Sequence, residues 1–310
     1  MAQNQVDVIV VNGHGVGEYC NVKKIPVVGE TAKCWNRHFE EDGGKGTNVA
    51  IAIAKLGGKV AFVGKAGDDE GGRLGKKWMG DAGADLSHYW MDPNISTGLG
   101  LCIIAEDGNN MILNFEDGED SINIPELDEH LRQFSGVKYL VTGFEVPEEV
   151  SLYAARLGKE LGMTTVLNPS PLEEGTDLGD LSYVDMLFIN ETEAKIMLGK
   201  PTDEDLDMFE AARAIRERYH TPNVIITLGG DGSMAVTEEG EWETAVYPAD
   251  CIDQCGAGDG FLSAFIWCLT QGKNMKDAMT WASRYAAYVV SHEGTAGVYP
   301  TMKQLDEFFK

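Results

Sequence analysis

The sequence predicts an α/β fold in which helices flank a central, mostly parallel sheet and a small β-sheet forms a lid. Short apolar runs rich in β-branched residues alternate with helical segments through the middle of the chain, the pattern of strand–helix–strand units. Polar residues follow the ends of several runs. Two early extended segments, at about 18–41 and 97–115, break the alternation, and we assign them to the lid. We expect residues 1–310 to form a single domain.

Composition limits the classes of partner. The formal net charge of −25 repels nucleic acid and anionic membrane, so neither is expected as a partner. We expect no membrane span, since there is no run of about 18 uncharged apolar residues, and no signal peptide, since the first residues lack a basic start and an apolar core. The six cysteines show neither Cys-x-x-Cys spacing nor a zinc pattern. We interpret them as reduced thiols of a cytoplasmic protein.

The first strand, residues 6–11, ends in a glycine-rich turn that resembles part of a dinucleotide-binding motif. Glu18 stands where that motif requires its third glycine, and the segment 19–26 contains a proline and has no helical pattern. A nicotinamide-dependent oxidoreductase is therefore only a weak alternative.

A second glycine-rich turn, residues 42–48, precedes an apolar helix at 49–56 that stops at a pair of glycines. The turn is not a Walker A loop, because Lys45 is followed by Gly46 and not by Ser or Thr. Two interpretations stay open here. Lys45 and Asn48 either face solvent or present hydrogen-bond donors to a hydroxylated ligand.

The remaining elements follow from apolar periodicity and turn residues. We expect a hairpin around an Asp-Gly turn at 106–109. Strands are predicted at 59–64, 97–105, 110–115, 139–143, 164–169, 186–190, 223–228, 233–237 and 241–246. Helices are predicted at 73–82, 147–161, 209–219, 260–269 and 275–291, with a further helix start at 191–194 and a short helix at the end of the chain.

Polar groups at the carboxyl ends of parallel strands meet at one edge of a sheet, where α/β proteins bind ligands. Glu145, Asn168, Asn190, Thr227 and Asp259 take such positions. Structural roles would also explain several of these residues: Asn190 with Glu193 could cap a helix, and Glu145 could be a surface charge. The glycines at 229, 230 and 232 could likewise form a plain turn.

The stretch 253–261 carries the strongest chemical signal. Its Gly256-Ala257-Gly258-Asp259 sequence lies where a loop becomes a helix, so backbone N–H groups and the helix dipole favour an anion there. A carboxylate in the same turn would repel a phosphate that is only bound. It fits a phosphate that is transferred, with Asp259 taking the proton of the attacking hydroxyl. The structural alternative is an ordinary helix start with an acidic first turn.

Four segments in order resemble the ribokinase-like sugar kinases, the PfkB family. The first family signature resembles 43–50 and the second resembles 253–261, while 190–193 and 227–232 match the family pattern between them. The resemblance covers essentially the whole chain. Each segment is a weak signal alone, and the four in order are specific.

The resemblance implies transfer of phosphate from ATP to a hydroxyl of a small sugar or polyol, with Mg²⁺ and K⁺ as cations. Asp259 would be the base, and the amides of Gly256, Ala257 and Gly258 would hold the phosphate. Family members often dimerise through the lid. By the same resemblance the sugar would bind next to Gly44, Lys45, Asn48 and Glu145. ATP would bind next to Asn190, Glu193, Thr227, Gly229 and Gly232. Glu193 would hold Mg²⁺ through water, and Asp253 would hold K⁺.

The sequence departs from the family at the sugar site. Gly17 stands where these kinases usually carry an Asp that binds sugar hydroxyls, and Gly15 stands where ribokinase has Asn, so the sequence does not predict ribose as the substrate. Gln254-Cys255 replaces a usual Thr pair, and Gly260 replaces a small residue that has a side chain.

Other functions of the same fold remain open. A nucleoside kinase would use aromatic lid residues such as Trp35 and Phe39, and a phosphosugar kinase would use a basic pair such as Lys33 and Arg37. A non-catalytic sugar or nucleotide sensor belongs to a different class. The intact Asp259 argues against a sensor, since a protein that only binds its ligand gains nothing from a base there.

Overall fold

A computed structural model describes residues 6–107, 110–115 and 122–310 of the chain. Thirteen strands lie within these ranges: β1 (Val8–Val11), β2 (Gly15–Val22), β3 (Cys34–Glu40), β4 (Val60–Gly67), β5 (Asp85–Asp92), β6 (Gly98–Ala105), β7 (Asn110–Phe115), β8 (Tyr139–Gly143), β9 (Thr164–Asn168), β10 (Met186–Asn190), β11 (Asn223–Thr227), β12 (Ser233–Val236) and β13 (Glu241–Thr244).

The same ranges contain nine α-helices and two short 3-10 helices, at Gly229–Asp231 and Ala296–Val298. The α-helices are α1 (Gly44–Lys55), α2 (Glu70–Ala82), α3 (Ile124–Leu131), α4 (Glu148–Glu160), α5 (Glu191–Met197), α6 (Met208–Tyr219), α7 (Ala257–Thr270), α8 (Met275–Val290) and α9 (Met302–Phe308).

In the described part of the chain, nine strands form the central sheet in the order β13-β12-β11-β10-β9-β8-β1-β4-β5. The strands from β11 to β5 along this order run parallel, and β12 and β13 are added antiparallel at one edge. The ends of β8, β9, β10 and β11 therefore lie along one edge of the sheet, which places the polar residues that follow them close together.

The central strands are apolar throughout because both of their faces are covered. In β1, Val8 and Val10 pack into the core formed by α1, α7 and α8. Ile9 and Val11 point the other way, into the core formed by α3 and α4. A third cluster covers the β10–β12 region with α5 and α6. Because side chains alternate between the two faces of a strand, a central strand contributes apolar residues to the core on each side of the sheet.

A second sheet has the order β3-β2-β6-β7 within the described residues, with β2 and β6 parallel. Two backbone bonds join it to the loop before α1. Gly15 N–H donates to Gly43 O, and Gly17 N–H donates to Asp42 O, each at 3.2 Å. This sheet corresponds to the predicted lid segments and lies next to the start of α1.

The predicted fold class is confirmed: an α/β sheet flanked by helices with a small second sheet. The dinucleotide-binding alternative is wrong in its topology, because strand β2, and not a helix, follows the first glycine turn. Gly108 and Asn109 of the predicted hairpin turn lie outside the described residues. None of the described helices is long and apolar enough to cross a membrane.

Two elements are absent from the sequence prediction. Strand β5 is an edge strand of mixed polarity, so it has no apolar run to mark it. Helix α3 has only eight residues, yet its start carries a signal that could have found it: Asn123 and Glu126 form a capping box.

Candidate active site

Helix α7 begins at the predicted glycine loop, and its first turn presents free backbone donors. Gly256 precedes the helix with φ +70°, and an added Cβ would lie 2.7 Å from the Tyr299 hydroxyl oxygen, so only glycine fits without strain. Ala257 N–H donates a long bond of 3.3 Å to Gln254 O. The N–H groups of Gly256 and Gly258 have no acceptor among the described residues, which leaves both available to an anion.

Asp259 follows in the same turn, and its side chain is buried at 8% exposure. Asn48 Nδ2 donates to its Oδ2 at 3.2 Å, and Lys45 Nζ lies 3.9 Å from its Oδ1. Burial raises the pKa of Asp259, although the charge of Lys45 and the Asn48 hydrogen bond oppose the change. The carboxylate in turn raises the pKa of Lys45, so the lysine stays protonated. The arrangement is a carboxylate with a raised pKa, beside one hydrogen-bond donor and one ammonium group.

Glu145 is not the surface charge that one interpretation allowed. Its carboxylate accepts the N–H groups of Lys45 at 2.7 Å and Gly46 at 2.9 Å, so it caps the start of α1. Burial raises its pKa to about 7, against these hydrogen bonds. Asn12 Oδ1 accepts Glu145 N–H and holds the segment in place. Gly44 has φ +77°, and an added Cβ would lie 2.8 Å from Glu145 Oε1.

Asn190 and Glu193 form the capping box that the structural interpretation proposed. The Asn190 side chain accepts Glu193 N–H, and Glu193 Oε2 accepts Asn190 N–H, each at 2.8 Å. Helix capping does not remove them from the site. Both line the cleft below α7, which includes Lys45, Asn190, Glu193, Thr227, Gly258 and Asp259.

The predicted nucleotide-binding glycines lie further out. Gly229 begins a short 3-10 helix after β11 and is exposed, while Gly232 ends that turn with φ +98°. Of the residues predicted to border the nucleotide near this turn, Thr227 is the one that lines the cleft.

Asp253 braces the loop that leads to α7. Its Oδ1 accepts Cys255 N–H at 2.9 Å, and its Oδ2 accepts Gly294 N–H at 3.1 Å. Each carboxylate oxygen keeps a second lone pair. At the nearby helix start, an added Cβ on Gly260 would lie 3.2–3.3 Å from Val289 and Tyr285, so the neighbouring helix occupies the space that a side chain would need.

Sequence reasoning missed three residues that shape the site. Asn12 holds Glu145, and the buried Tyr299 donates its hydroxyl to Gly256 O at 3.0 Å. Asp42 accepts Asn48 Nδ2 at 3.3 Å. Asn12 had a signal, since it directly follows the first strand. Tyr299 lies 43 positions from its partner along the chain, and no local pattern indicates that contact.

Metal-ligating side chains are numerous in the sequence, with 50 Asp and Glu, but they are not clustered in the described residues. No group of three or more His, Cys, Asp or Glu side chains there is arranged to hold a metal ion. All six cysteines carry free thiols; Cys20, Cys102 and Cys268 are buried, and Cys34, Cys251 and Cys255 are exposed.

Comparison with known proteins supports the fold and identifies the family. Residues 19–302 match the sequence model of the pfkB family carbohydrate kinase. The chain therefore belongs to this family and is a carbohydrate kinase, as the four motifs predicted.

Individual relatives match along nearly their whole length. The deoxyribokinase of Salmonella typhi is 28% identical over 304 residues, which is 98% of each chain. The ribokinase of Dictyostelium discoideum is 26% identical and covers 97% of this chain and 99% of its own. The structure of ribokinase from Thermotoga maritima superposes with a TM-score of 0.84 at 26% identity, covering 98% of this chain and 99% of that one.

Proposed function

We propose that this kinase transfers the γ-phosphate of ATP to a hydroxyl group of a small sugar or polyol, with Asp259 as the general base. The observation that carries the proposal is the turn at the start of α7. A buried carboxylate with a raised pKa and two unpaired N–H groups lie within four residues of each other. A base and an anion site in one turn suit a hydroxyl that attacks a phosphorus atom.

In the proposed step, an oxygen of Asp259 takes the hydroxyl proton while the substrate oxygen forms a bond to the γ-phosphorus. The bond from that phosphorus to the bridging oxygen breaks, and ADP leaves with the electron pair. The amides of Gly256, Ala257 and Gly258 stabilise the phosphoryl oxygens. Ala257 contributes least, because its N–H already donates to Gln254 O.

The sugar is proposed to bind between α1 and α7, next to Gly44, Lys45, Asn48 and Glu145. Asn48 and Lys45 both reach the Asp259 carboxylate and supply donors. Gly44 allows the Glu145 carboxylate to lie against the start of α1, because an added Cβ would come within 2.8 Å of Glu145 Oε1. Glu145 supplies acceptors when ionised, since each of its oxygens receives only one backbone N–H.

ATP is proposed to lie along the strand ends, over Asn190, Glu193, Thr227, Gly229 and Gly232. A bound Mg²⁺ would neutralise charge on the phosphates. Glu193 fits the role of holding its water shell, because the side chain is buried at 6% exposure in the cleft and its Oε1 accepts no hydrogen bond from the described residues. Its Oε2 is held by Asn190 N–H, which fixes the carboxylate in place.

Asp253 is proposed as a ligand of a monovalent cation, K⁺, together with backbone carbonyls of its loop. The residue fits because both oxygens keep a lone pair after accepting Cys255 and Gly294 N–H groups. A cation there would neutralise negative charge next to the anion site.

The second sheet, with the segments at about 18–41 and 97–115, is proposed as a lid within a single domain, 1–310. One of its faces carries Gly17 and Tyr19 near the loop before α1. The opposite face carries Leu101 paired with Leu113 and the exposed Phe115, together with the ion pair of Glu18 and Arg37. The exposed apolar side chains of edge strand β7 support a homodimer through the lid. The free thiols support a cytoplasmic location.

The test is ADP release from ATP and Mg²⁺, with and without K⁺, across pentoses, deoxypentoses, hexoses, polyols, phosphosugars and nucleosides. Relatives named deoxyribokinase and ribokinase make pentoses and deoxypentoses the first compounds to try. We expect one sugar or polyol to give turnover. Turnover with nucleosides or phosphosugars alone would overturn the proposed substrate class, and ATP binding without any turnover would favour a sensor.

A further inference from the structure

A carboxylate that no motif predicted, Asp42, lies in the loop between β3 and α1, at the edge of the sugar site. We propose that Asp42 binds a hydroxyl group of the sugar and helps to determine which sugar the enzyme accepts. The inference rests on the proposed function, since it assigns a role within the same site.

The Asp42 side chain lies next to Gly17 of β2, which has no side chain of its own. Its backbone oxygen accepts Gly17 N–H at 3.2 Å, which fixes the loop against the strand. A Cβ added to Gly17 would lie 3.4 Å from Asp42 Cβ and 2.9 Å from Cε2 of Tyr19. Beside Gly17, the surface of the site is thus formed by a carboxylate from the loop and an aromatic ring from the strand.

The two oxygens of Asp42 differ in their partners. Oδ1 accepts Gly44 N–H and Asn48 Nδ2, each at 3.3 Å. Oδ2 accepts no hydrogen bond from the described residues. The side chain is only partly buried, so Oδ2 can be reached by a ligand. One oxygen fixes the carboxylate, and the other is a pre-oriented acceptor.

The Asp42 carboxylate is linked to the proposed base through the side chain of Asn48. Asn48 Nδ2 connects Asp42 Oδ1 to Asp259 Oδ2, with distances of 3.3 and 3.2 Å. Asp42 also adds to the burial effect that raises the pKa of Asp259. A sugar that presents one hydroxyl to Asp259 would present a neighbouring hydroxyl, a carbon or two away, to Asp42. The expected ligand class is therefore a polyhydroxylated substrate that donates to this carboxylate.

A purely structural role for Asp42 makes a different prediction, and Asp42→Asn separates the two. Both partners of Oδ1 are donors, so the amide oxygen must take the Oδ1 position to keep the bonds to Gly44 and Asn48. The NH₂ group then replaces the free acceptor. The variant keeps the hydrogen bonds from Gly44 and Asn48 and removes only the acceptor proposed to contact the sugar. Asp81→Asn on α2 is a matched control, because Asp81 is a surface partner of Lys77.

We expect Asp42→Asn to raise the KM for the accepted sugar about 10- to 100-fold, the usual effect of losing a hydrogen bond to a charged group. The KM for ATP should not change, and kcat should change by less than about 3-fold. A deoxy analogue that lacks the contacted hydroxyl should bind the wild type and Asp42→Asn with similar KM values. Asp81→Asn should behave as the wild type.

An unchanged sugar KM in a folded, active Asp42→Asn enzyme would overturn the inference while leaving the kinase function intact. A wild type without turnover on any sugar would overturn the proposed function instead. If Asp42→Asn does not fold, calorimetric binding of the sugar to Asp42→Glu decides the question, because that variant keeps the charge and moves the carboxylate. Wild-type affinity in Asp42→Glu would also refute the role.

Discussion

The substitution Asp259→Asn tests the proposed base with little change in shape. The amide oxygen can accept Asn48 Nδ2 in place of Oδ2, which lies 3.2 Å from that donor. The NH₂ group then faces Lys45, whose Nζ lies 3.9 Å from Oδ1. The variant therefore keeps the side-chain volume and one hydrogen bond, and removes the ability to accept a proton.

The expected loss of kcat is about 10²- to 10⁴-fold, which corresponds to about 2.7–5.5 kcal/mol of activation free energy. Burial is the reason for placing Asp259 in this range. A proton acceptor with a raised pKa is a stronger base than an exposed Asp, and its loss costs more than the loss of a weakly basic group. The KM values for both substrates should change far less than kcat, because the binding groups remain.

The same variant should unfold at a higher urea concentration than the wild type at pH 8. Burial raises the pKa of Asp259 in the folded state, and the attraction to Lys45 opposes this rise without cancelling it. The ionised carboxylate therefore destabilises the fold, and stability falls as the pH rises through the folded pKa. A neutral amide removes this cost, so activity and stability should change in opposite directions.

Turnover is measured by ADP release with the accepted sugar at saturating ATP, and stability by urea denaturation of the same samples. Asp81→Asn, an exposed acidic residue on α2, is the control and should match the wild type in both assays. Full turnover by a folded Asp259→Asn protein would refute the base assignment. A large loss of turnover together with a large loss of stability would refute the argument from burial.

Three further predictions concern the rest of the molecule. Glu145→Gln should remove a pH dependence of stability, because the pKa of Glu145 is raised from 4.5 to about 7 in the folded state. The wild-type unfolding free energy should fall by about 1–3 kcal/mol relative to that of the variant between pH 4.5 and 7.5. Urea titrations of both proteins measure this difference, and parallel curves would contradict it. Gly256→Ala should lower the unfolding free energy by about 1–3 kcal/mol, because φ is +70° and the new Cβ would contact the Tyr299 hydroxyl. Gly258→Ala, with no atom within 4 Å of its Cβ, should be at least as stable as the wild type. Equal stability of the two variants would count against this geometry. Leu113→Glu on the exposed lid face should convert a dimer to a monomer in analytical ultracentrifugation, and a wild type that is already monomeric would refute the lid interface.

Local patterns predicted much of the fold because the elements are defined by local chemistry. The strands from β8 to β11 are apolar runs with a polar residue at or just after the end, and their order along the chain matches their order in the sheet. Helix α7 was expected from Gly260 and begins at Ala257, three residues earlier. Edge strand β5 and the short helix α3 were missed, because neither carries the sustained periodicity on which such predictions depend.

The candidate site could be predicted only in part. Its glycines and Asp259 stand in recognisable motifs, and their surroundings do not. Glu145 caps α1 from 99 and 100 positions away, and Tyr299 bonds to Gly256 from the end of the chain. Such contacts depend on how the helices and the two sheets pack. Asp42 next to Gly17 is a further case, because two segments 25 positions apart together form one wall of the site.

The most direct test of the account is to identify both products of a single reaction by mass spectrometry: purified protein, ATP, Mg²⁺ and the sugar that gives the fastest ADP release. We expect ADP and a phosphorylated sugar in equal amounts, with neither formed by Asp259→Asn above a background of about one hundredth of the wild-type rate. ADP accompanied by inorganic phosphate in place of a phosphorylated sugar would contradict it, since water and not a sugar hydroxyl would then be the group that attacks ATP.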